Sequence, residues 1–129
     1  IKEDMKKRCP MNQVTVMFKK SRVDSVGGYI DWYCEEDTYL WLRLFLAGAK
    51  FANLSDYLVN VRIGKEMYQR RGGTKYFLSE AKLQKFMLDN KIIGLGRFTV
   101  NVGERLVVQV LLPNKLRSWV FKIFARKTV

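Results

Sequence analysis

The chain has 129 residues, 48% of them hydrophobic, and a formal net charge of +12. This length allows one domain or part of one, and the hydrophobic share excludes a disordered chain. No histidine is present and the cysteines are Cys9 and Cys34 alone. The sequence therefore excludes His-based catalysis and argues against a disulfide framework or a structural zinc site, which makes a reducing cytoplasm the default location.

The first half of the chain contains a predicted strand, a turn and a helix. "VTVMF", Val14 to Phe18, is rich in β-branched residues and alternates as a strand does. Gly27 and Gly28 predict a turn, because glycine adopts backbone angles that other residues avoid. From Glu36 to Ala47 the apolar side chains occupy nearly every side of a predicted helix, which indicates burial. Gly48 fits the C-terminal end of that helix.

The second half is predicted to begin with strands and to end with helices. "KFANLSDYLVNVRI", residues 50–63, reads as two short strands around a turn. "RRGG", Arg70 to Gly73, is typical of a loop, and Thr74 to Lys91 of a helix. Residues 95–112 stay open between strand and helix, because their valines favour one and their length the other. Asn114 to Lys127 predicts an amphipathic helix with a basic face.

An acidic triplet, Glu35, Glu36 and Asp37, stands at the start of the predicted buried helix. Carboxylates there interact favourably with the positive end of the helix dipole, which is a purely structural explanation. Three adjacent acids also repel one another, and such crowding can raise the pKa of one carboxyl toward values useful to a base. The residues alone leave both explanations open.

Three other clusters carry weaker signals. Glu35 and Asp37 have oxygen ligands suited to Mg²⁺ or Mn²⁺, but no D-x-D motif is present and a complete cation site within this chain is not expected. Arg70 and Arg71 could bind phosphate, although a solvated loop explains them equally well. Trp32 precedes the acids as a candidate sugar-binding ring, and a role in the core is the alternative.

Taken in order, these motifs resemble the second half of bacterial inverting family 2 glycosyltransferases of the GT-A fold. The similarity extends over about Asn12 to Gly73. It comprises a strand, a "GGY" turn, a Glu-Asp pair that opens a helix of the "LWLRL" kind, a small residue and a strand ending in "VR". The matching positions are Val14 to Phe18, Gly27 to Tyr29, Glu36 and Asp37, Leu40 to Leu44, Gly48, and Val61 with Arg62.

This resemblance implies transfer of a sugar from a nucleotide-sugar donor to a glycan or lipid-linked acceptor, with inversion. In such enzymes the Asp of the Glu-Asp pair is the general base, which implies that role for Asp37 and a supporting role for Glu36. A carboxylate is chemically suited to it, since a sugar hydroxyl must lose its proton as it attacks. The resemblance also implies a donor diphosphate site at Arg70 and Arg71, and acceptor binding by Gly28, Trp32 and Glu35.

For the architecture, the resemblance implies an α+β fold: a partial GT-A-like domain with a few short strands, several helices and a helical C-terminus. Residues 1–73 would form the part with the catalytic base, and residues 74–129 a helical region. The ligands of a Mg²⁺ or Mn²⁺ cofactor are expected mainly upstream of Ile1. We therefore expect a fragment that is inactive alone and that self-associates through exposed apolar surface.

Two non-catalytic classes are the alternatives, both suggested by the charge of +12. A nucleic-acid-binding module would use the basic surface, but the basic residues follow no known nucleic-acid motif, so no nucleic acid is expected. A module on an anionic membrane would use the helix Asn114 to Lys127. That helix also suits a transferase, which would be cytoplasmic and peripheral at the inner face of the membrane.

Overall fold

The computed structural model describes residues 1–62 and 73–112, and their regular secondary structure is helical. A 3₁₀ turn lies between α1 and α2 at Gln13–Thr15, and a π-helical turn, Val107–Leu111, continues the last helix. The α-helices are α1 (Lys2–Met5), α2 (Lys20–Ser25), α3 (Glu36–Leu46), α4 (Thr74–Asp89) and α5 (Leu95–Leu106).

The central helix, α3, confirms the prediction of a buried helix. Its residues Leu40, Trp41, Leu42 and Leu44 are all buried. Gly48 ends it with a φ of +73°, and its N–H donates to the Phe45 carbonyl oxygen at 3.0 Å. The next N–H, of residue 49, reaches back to the carbonyl of residue 44, which completes a Schellman motif.

Helices α4 and α5 form an antiparallel hairpin, and residues 95–111 are helical. The start of α4 meets the π-helical turn that follows α5, where the Gly73 N–H donates to the Gln109 carbonyl oxygen at 3.0 Å. In the middle of the hairpin, Asn101 Nδ2 donates to Gln84 Oε1 at 2.8 Å and to the Lys6 carbonyl oxygen at 3.0 Å. Contact with α4 outweighs the strand propensity of the valines, which is a weak preference that depends on context.

The hydrophobic core lies between α3 and the α4–α5 hairpin, with smaller contributions from α1 and α2. Helices stabilise such a domain by burying one face against another element. The buried members of this core are Met5, Val23, Leu40, Trp41, Leu42, Leu44, Leu83, Met87, Ile92 and Ile93.

The predicted α+β fold is wrong for the described residues, because neither predicted strand region forms a strand there. Val16 has extended backbone angles, but no β-ladder pairs it within residues 1–62 and 73–112. Its neighbours Val14 and Met17 are 61% and 97% exposed. Residues 50–62 are also irregular, with Tyr57 83% exposed. A strand needs a partner for its backbone groups and a packed face for its side chains, and composition specifies neither.

Several predictions fall on residues 63–72 and 113–129, outside the described ranges. These are the loop residues Arg70 and Arg71 and the amphipathic helix Asn114 to Lys127. The division of the chain at residue 73 stays a prediction. Of the helices that are described, none is both long and apolar enough to cross a lipid bilayer.

The burial of α3 predicts unequal effects of two leucine truncations on this helix. Leu40 is 0% exposed and Leu46 is 44% exposed. Leu40→Ala should lower the free energy of unfolding by about 2–5 kcal/mol, because it leaves a cavity in the core. Leu46→Ala, the matched control, should cost less than about 1 kcal/mol. Urea unfolding of both variants measures the difference, and equal losses would contradict the position of α3.

Candidate functional site

The acidic triplet lies at the N-terminus of α3, and a sharp turn leads into it. The Glu35 N–H donates to the Trp32 carbonyl oxygen at 3.1 Å, and Cys34 has a φ of +58°. A residue with a side chain rarely adopts this left-handed conformation, so the turn is held by its surroundings. The three carboxylates consequently lie in three different environments.

Glu35 is buried and contacts α4. Only 7% of it is exposed, and the Tyr76 hydroxyl donates to its Oε1 at 3.0 Å. Burial raises the pKa of Glu35 to about 7, and the nearby Glu80 carboxyl is the second cause. Burial acts in this direction because a charged carboxylate loses its hydration in the interior. The sequence predicted a raised pKa from crowding in the triplet, but Asp37 is the smallest of the causes.

A buried polar network continues from Glu35 into the α4–α5 hairpin. Glu80 lies one turn of α4 beyond Tyr76 and forms an ion pair with Arg105 of α5, with 3.1 Å between Nε and Oε1. The Gln109 side-chain amide donates to the other oxygen of Glu80. Both charged side chains of the ion pair are largely buried. Through this network the position of the α3 N-terminus depends on both hairpin helices.

Asp37 and Glu36 are closer to solvent than Glu35. Glu36 is exposed and Asp37 is half-buried. Asp37 Oδ1 accepts the Thr38 N–H at 2.7 Å, which fixes the orientation of the carboxylate. Asp37 Oδ2 has no hydrogen bond among the described residues. The role of Asp37 as general base stays a prediction.

Arg43 ties the predicted glycine turn to α3. Its guanidinium donates to the carbonyl oxygens of Val26 and of Gly28, the latter at 2.6 Å, and lies 4.7 Å from the centre of the Tyr39 ring. Gly27 and Gly28 have φ values of +83° and +65°, which confirms the turn. The Gly28 carbonyl is thus engaged inside the chain, and acceptor binding by Gly28 stays a prediction.

Trp32 begins the turn that leads into α3, packs against α4 and is half-buried. Its Nε1–H donates to the Ser79 carbonyl oxygen at 3.3 Å, and its ring centre is 4.4 Å from that of Tyr39. Ser79 and Tyr76 are three residues apart on α4, so they share a face of that helix. The structure therefore brings Trp32 and Glu35 together against one side of α4. Their roles toward an acceptor stay predictions.

Only weak signals in the sequence indicated the residues that support this site. Arg43 is the only charged residue of α3 after its acidic first turn, and that isolation could have singled it out. Tyr76 and Glu80 have the i, i+4 spacing that places two side chains on one helix face. Nothing in the sequence indicated that this face would meet Glu35, 41 positions earlier in the chain.

The described residues do not fit a divalent cation. Among them, no three His, Cys, Asp or Glu side chains lie close enough together to hold a metal ion. The buried carboxyl of Glu35 accepts a hydrogen bond from Tyr76, and burial raises its pKa, so a proton competes more strongly with a metal ion for it than for an ordinary carboxylate. Glu36 is exposed. No step at this site is therefore assigned to a metal held by these side chains.

Comparison with known proteins gives three curated relatives. The chain is 38% identical over 122 residues to an Escherichia coli UDP-Gal:alpha-D-GlcNAc-diphosphoundecaprenol beta-1,3-galactosyltransferase. It is 38% identical over 125 residues to an uncharacterized glycosyltransferase of Haemophilus influenzae, and 35% identical over 113 residues to an amylovoran biosynthesis glycosyltransferase of Erwinia amylovora. These relatives are glycosyltransferases.

The similarity to these glycosyltransferases covers nearly all of the chain but less than half of each relative. It includes 95%, 94% and 88% of this chain, and 44%, 44% and 42% of the respective relatives. No protein-family model matches the chain, and no solved structure matches it significantly. The relatives confirm the broad resemblance to glycosyltransferases that the motifs predicted, while the GT-A fold and the inverting mechanism stay predictions.

The raised pKa of Glu35 predicts how stability depends on pH. Between the ordinary pKa of 4.5 and about 7, the folded chain keeps a proton that the unfolded chain has lost. Stability should therefore fall as pH rises through this window, by an amount on the order of 3 kcal/mol. Glu35→Gln cannot ionise but still accepts from Tyr76, so its melting temperature should lack this fall. Melting curves from pH 4.5 to 8 measure the effect.

Glu36→Gln is the matched control, because it removes the neighbouring carboxylate, which is exposed. It should keep the pH trend of the unchanged chain. Parallel melting profiles for the unchanged chain and Glu35→Gln would contradict the burial of the Glu35 carboxyl.

Proposed function

We propose that this chain contributes the acceptor side of a glycosyltransferase that moves a sugar from a nucleotide-sugar donor to a lipid-linked acceptor, with Asp37 as general base. The observation that carries the proposal is Asp37 itself, a half-buried carboxylate in the first turn of a helix whose next turns are buried. The matched relatives support the reaction class, since all three are named glycosyltransferases.

The proposed reaction is a single displacement with inversion. An acceptor hydroxyl attacks the anomeric carbon on the face opposite the nucleoside diphosphate. The new carbon–oxygen bond forms as the bond to the diphosphate breaks, and the diphosphate leaves with the bonding electron pair. Asp37 takes the hydroxyl proton during the attack, because a neutral hydroxyl is a poor nucleophile and its conjugate base, the alkoxide, a strong one. The rigid α3 would hold the base in place, and positioning supplies much of the rate.

The supporting residues follow from the contacts around α3. Glu36, exposed beside Asp37, would orient the base or the acceptor. Glu35, buried against Tyr76, would act through the position of the helix rather than by touching the acceptor. Arg43 would keep the Gly27–Gly28 turn in place next to α3. Arg70 and Arg71, which lie outside the described residues, stay candidates for binding the diphosphate of the donor.

The donor, acceptor and location are proposed by analogy. One relative is named for a UDP-Gal donor and a GlcNAc-diphosphoundecaprenol acceptor. A UDP-hexose and a sugar diphosphate on a lipid are therefore the first substrates to test, and Mg²⁺ or Mn²⁺ the first cofactors. A lipid-linked acceptor would place the enzyme at the inner face of the cell membrane, in the cytoplasm and in peripheral contact with the bilayer.

Asp37→Asn tests the proposed base. Asparagine keeps the size of the side chain and an oxygen that can accept the Thr38 N–H, so the melting temperature should change little. The rate of transfer should fall by about 10²–10⁴-fold, because the base is lost. Release of nucleoside diphosphate by the whole gene product, with UDP-galactose and a GlcNAc-diphospholipid, measures the rate.

Asp24→Asn is the matched control, because it makes the same change at an exposed carboxylate of α2, where Lys20 is the partner. It should transfer sugar at the normal rate. Normal turnover by Asp37→Asn would mean that the acidic triplet has only a structural role at the start of α3, and it would contradict the role of Asp37 as general base.

A further inference from the structure

A shallow, positively charged cavity of about 360 Å³ lies between α4 and the turn that leads into α3. Lys75 and Lys82 line its α4 side, and the two aromatic residues of the turn line the other. The polar and aromatic residues that line it are Asp31, Trp32, Tyr33, Lys75, Ser79 and Lys82.

Each of the two lysines is positioned over an aromatic ring. Lys75 Nζ lies 4.1 Å from the centre of the Tyr33 ring, and Lys82 Nζ lies 4.6 Å from the centre of the Trp32 ring. Cation–π contacts of this kind hold an ammonium group in place. They leave its N–H donors available, because an aromatic ring is a weak hydrogen-bond acceptor compared with a phosphate oxygen.

The rings themselves are fixed by α4. The Trp32 Nε1–H donates to the Ser79 carbonyl oxygen at 3.3 Å, and the Ser79 hydroxyl donates to the Tyr33 carbonyl oxygen at 2.6 Å. The lysines are seven residues apart, which places them on the same face of α4 about 10 Å apart along its axis. The two cations therefore flank one opening.

Neither lysine has a carboxylate partner among the described residues, whereas Lys6, Lys20 and Lys85 each pair with an acid on their own helix or turn. Lys75 and Lys82 have no such ion pair in the described ranges, although both are exposed. Two unneutralised ammonium groups with fixed stems form a site that is complementary to an anion.

The anion that fits best is a diphosphate ester attached to a sugar. A diphosphate offers several charged oxygens in a row and can accept from both ammonium groups. The carboxylate of Asp31 at the rim would disfavour a second anion but can accept hydrogen bonds from sugar hydroxyls. Aromatic edges beside it provide apolar contact for a sugar ring.

We infer that Lys75 and Lys82 bind the diphosphate of a lipid-linked sugar acceptor, an inference that rests on the proposed function. The inference concerns recognition and requires no covalent step. The diphosphate of the nucleotide-sugar donor would be bound at a different site, for which Arg70 and Arg71 are the candidates.

Calorimetric titration of the whole gene product with an alkyl diphospho-N-acetylglucosamine tests this inference. Lys75→Gln and Lys82→Gln should each weaken binding by about tenfold, the size expected for one hydrogen bond between charged groups. Lys82→Arg should restore part of the affinity. The same alkyl N-acetylglucosaminide without phosphates should bind equally weakly to all forms, and the affinity for UDP should not change.

Lys85→Gln is the matched control, because it removes a charge from an exposed lysine of the same helix, one turn from Lys82. Equal weakening by this variant would mean that general charge attracts the ligand, and the inference would be overturned. Unchanged binding by Lys75→Gln combined with Lys82→Gln would also overturn it, as would a matching loss of affinity for UDP. Melting temperatures confirm that each variant is folded.

Transfer assays separate this inference from the proposed function. Lysine-dependent binding without any sugar transfer by the unchanged protein would overturn the proposed reaction and leave the diphosphate site supported. Normal sugar transfer combined with acceptor binding that does not depend on the lysines would support the proposed reaction and overturn the diphosphate site.

Discussion

The contact between Glu35 and Tyr76 is the interaction on which the candidate site depends. It buries a carboxyl at the N-terminus of α3 against the first turn of α4, over a separation of 41 positions in the chain. Burying a polar group without a hydrogen bond is costly, so Tyr76 limits the cost of placing Glu35 there. The charge of Glu80 nearby is offset by Arg105, which connects the same cluster to α5. As a result, the direction in which α3 presents Asp37 is set by the helical hairpin.

The three carboxyls of the acidic triplet have different surroundings, although they are adjacent in the sequence. Glu35 enters the interior and its pKa rises to about 7, mainly through burial. Glu36 stays in solvent, where water screens its charge. Asp37 is held by the backbone of Thr38 and stays partly accessible. Repulsion within the triplet contributes little to this pKa, because Asp37 is the smallest of its causes.

The strand predictions were wrong because they depended on residue types rather than on partners. Val14, Met17 and Tyr57 have side chains or neighbours typical of strands, yet all three are exposed and their segments are irregular. A β-strand is stabilised by another strand, and no local pattern guarantees that one is present. Helix α3 was predicted correctly because its hydrogen bonds are internal and its apolar residues specify burial by themselves. The Gly27–Gly28 turn and the end of α3 at Gly48 were predictable for the same local reason.

The sequence by itself determined the local features: the limits of α3 and α4, the glycine turns, the position of the acidic triplet and a resemblance to glycosyltransferases that the matched relatives support. The tertiary structure alone decided which acid is buried, that Arg43 ties the Gly28 turn to α3, and that Lys75 and Lys82 lie over Tyr33 and Trp32. The physical reason is separation along the chain. Backbone angles and helix periodicity act over a few residues, whereas the contacts at the site join residues from 15 positions apart, as for Arg43 and Gly28, to 47, as for Trp32 and Ser79, and only packing brings them together.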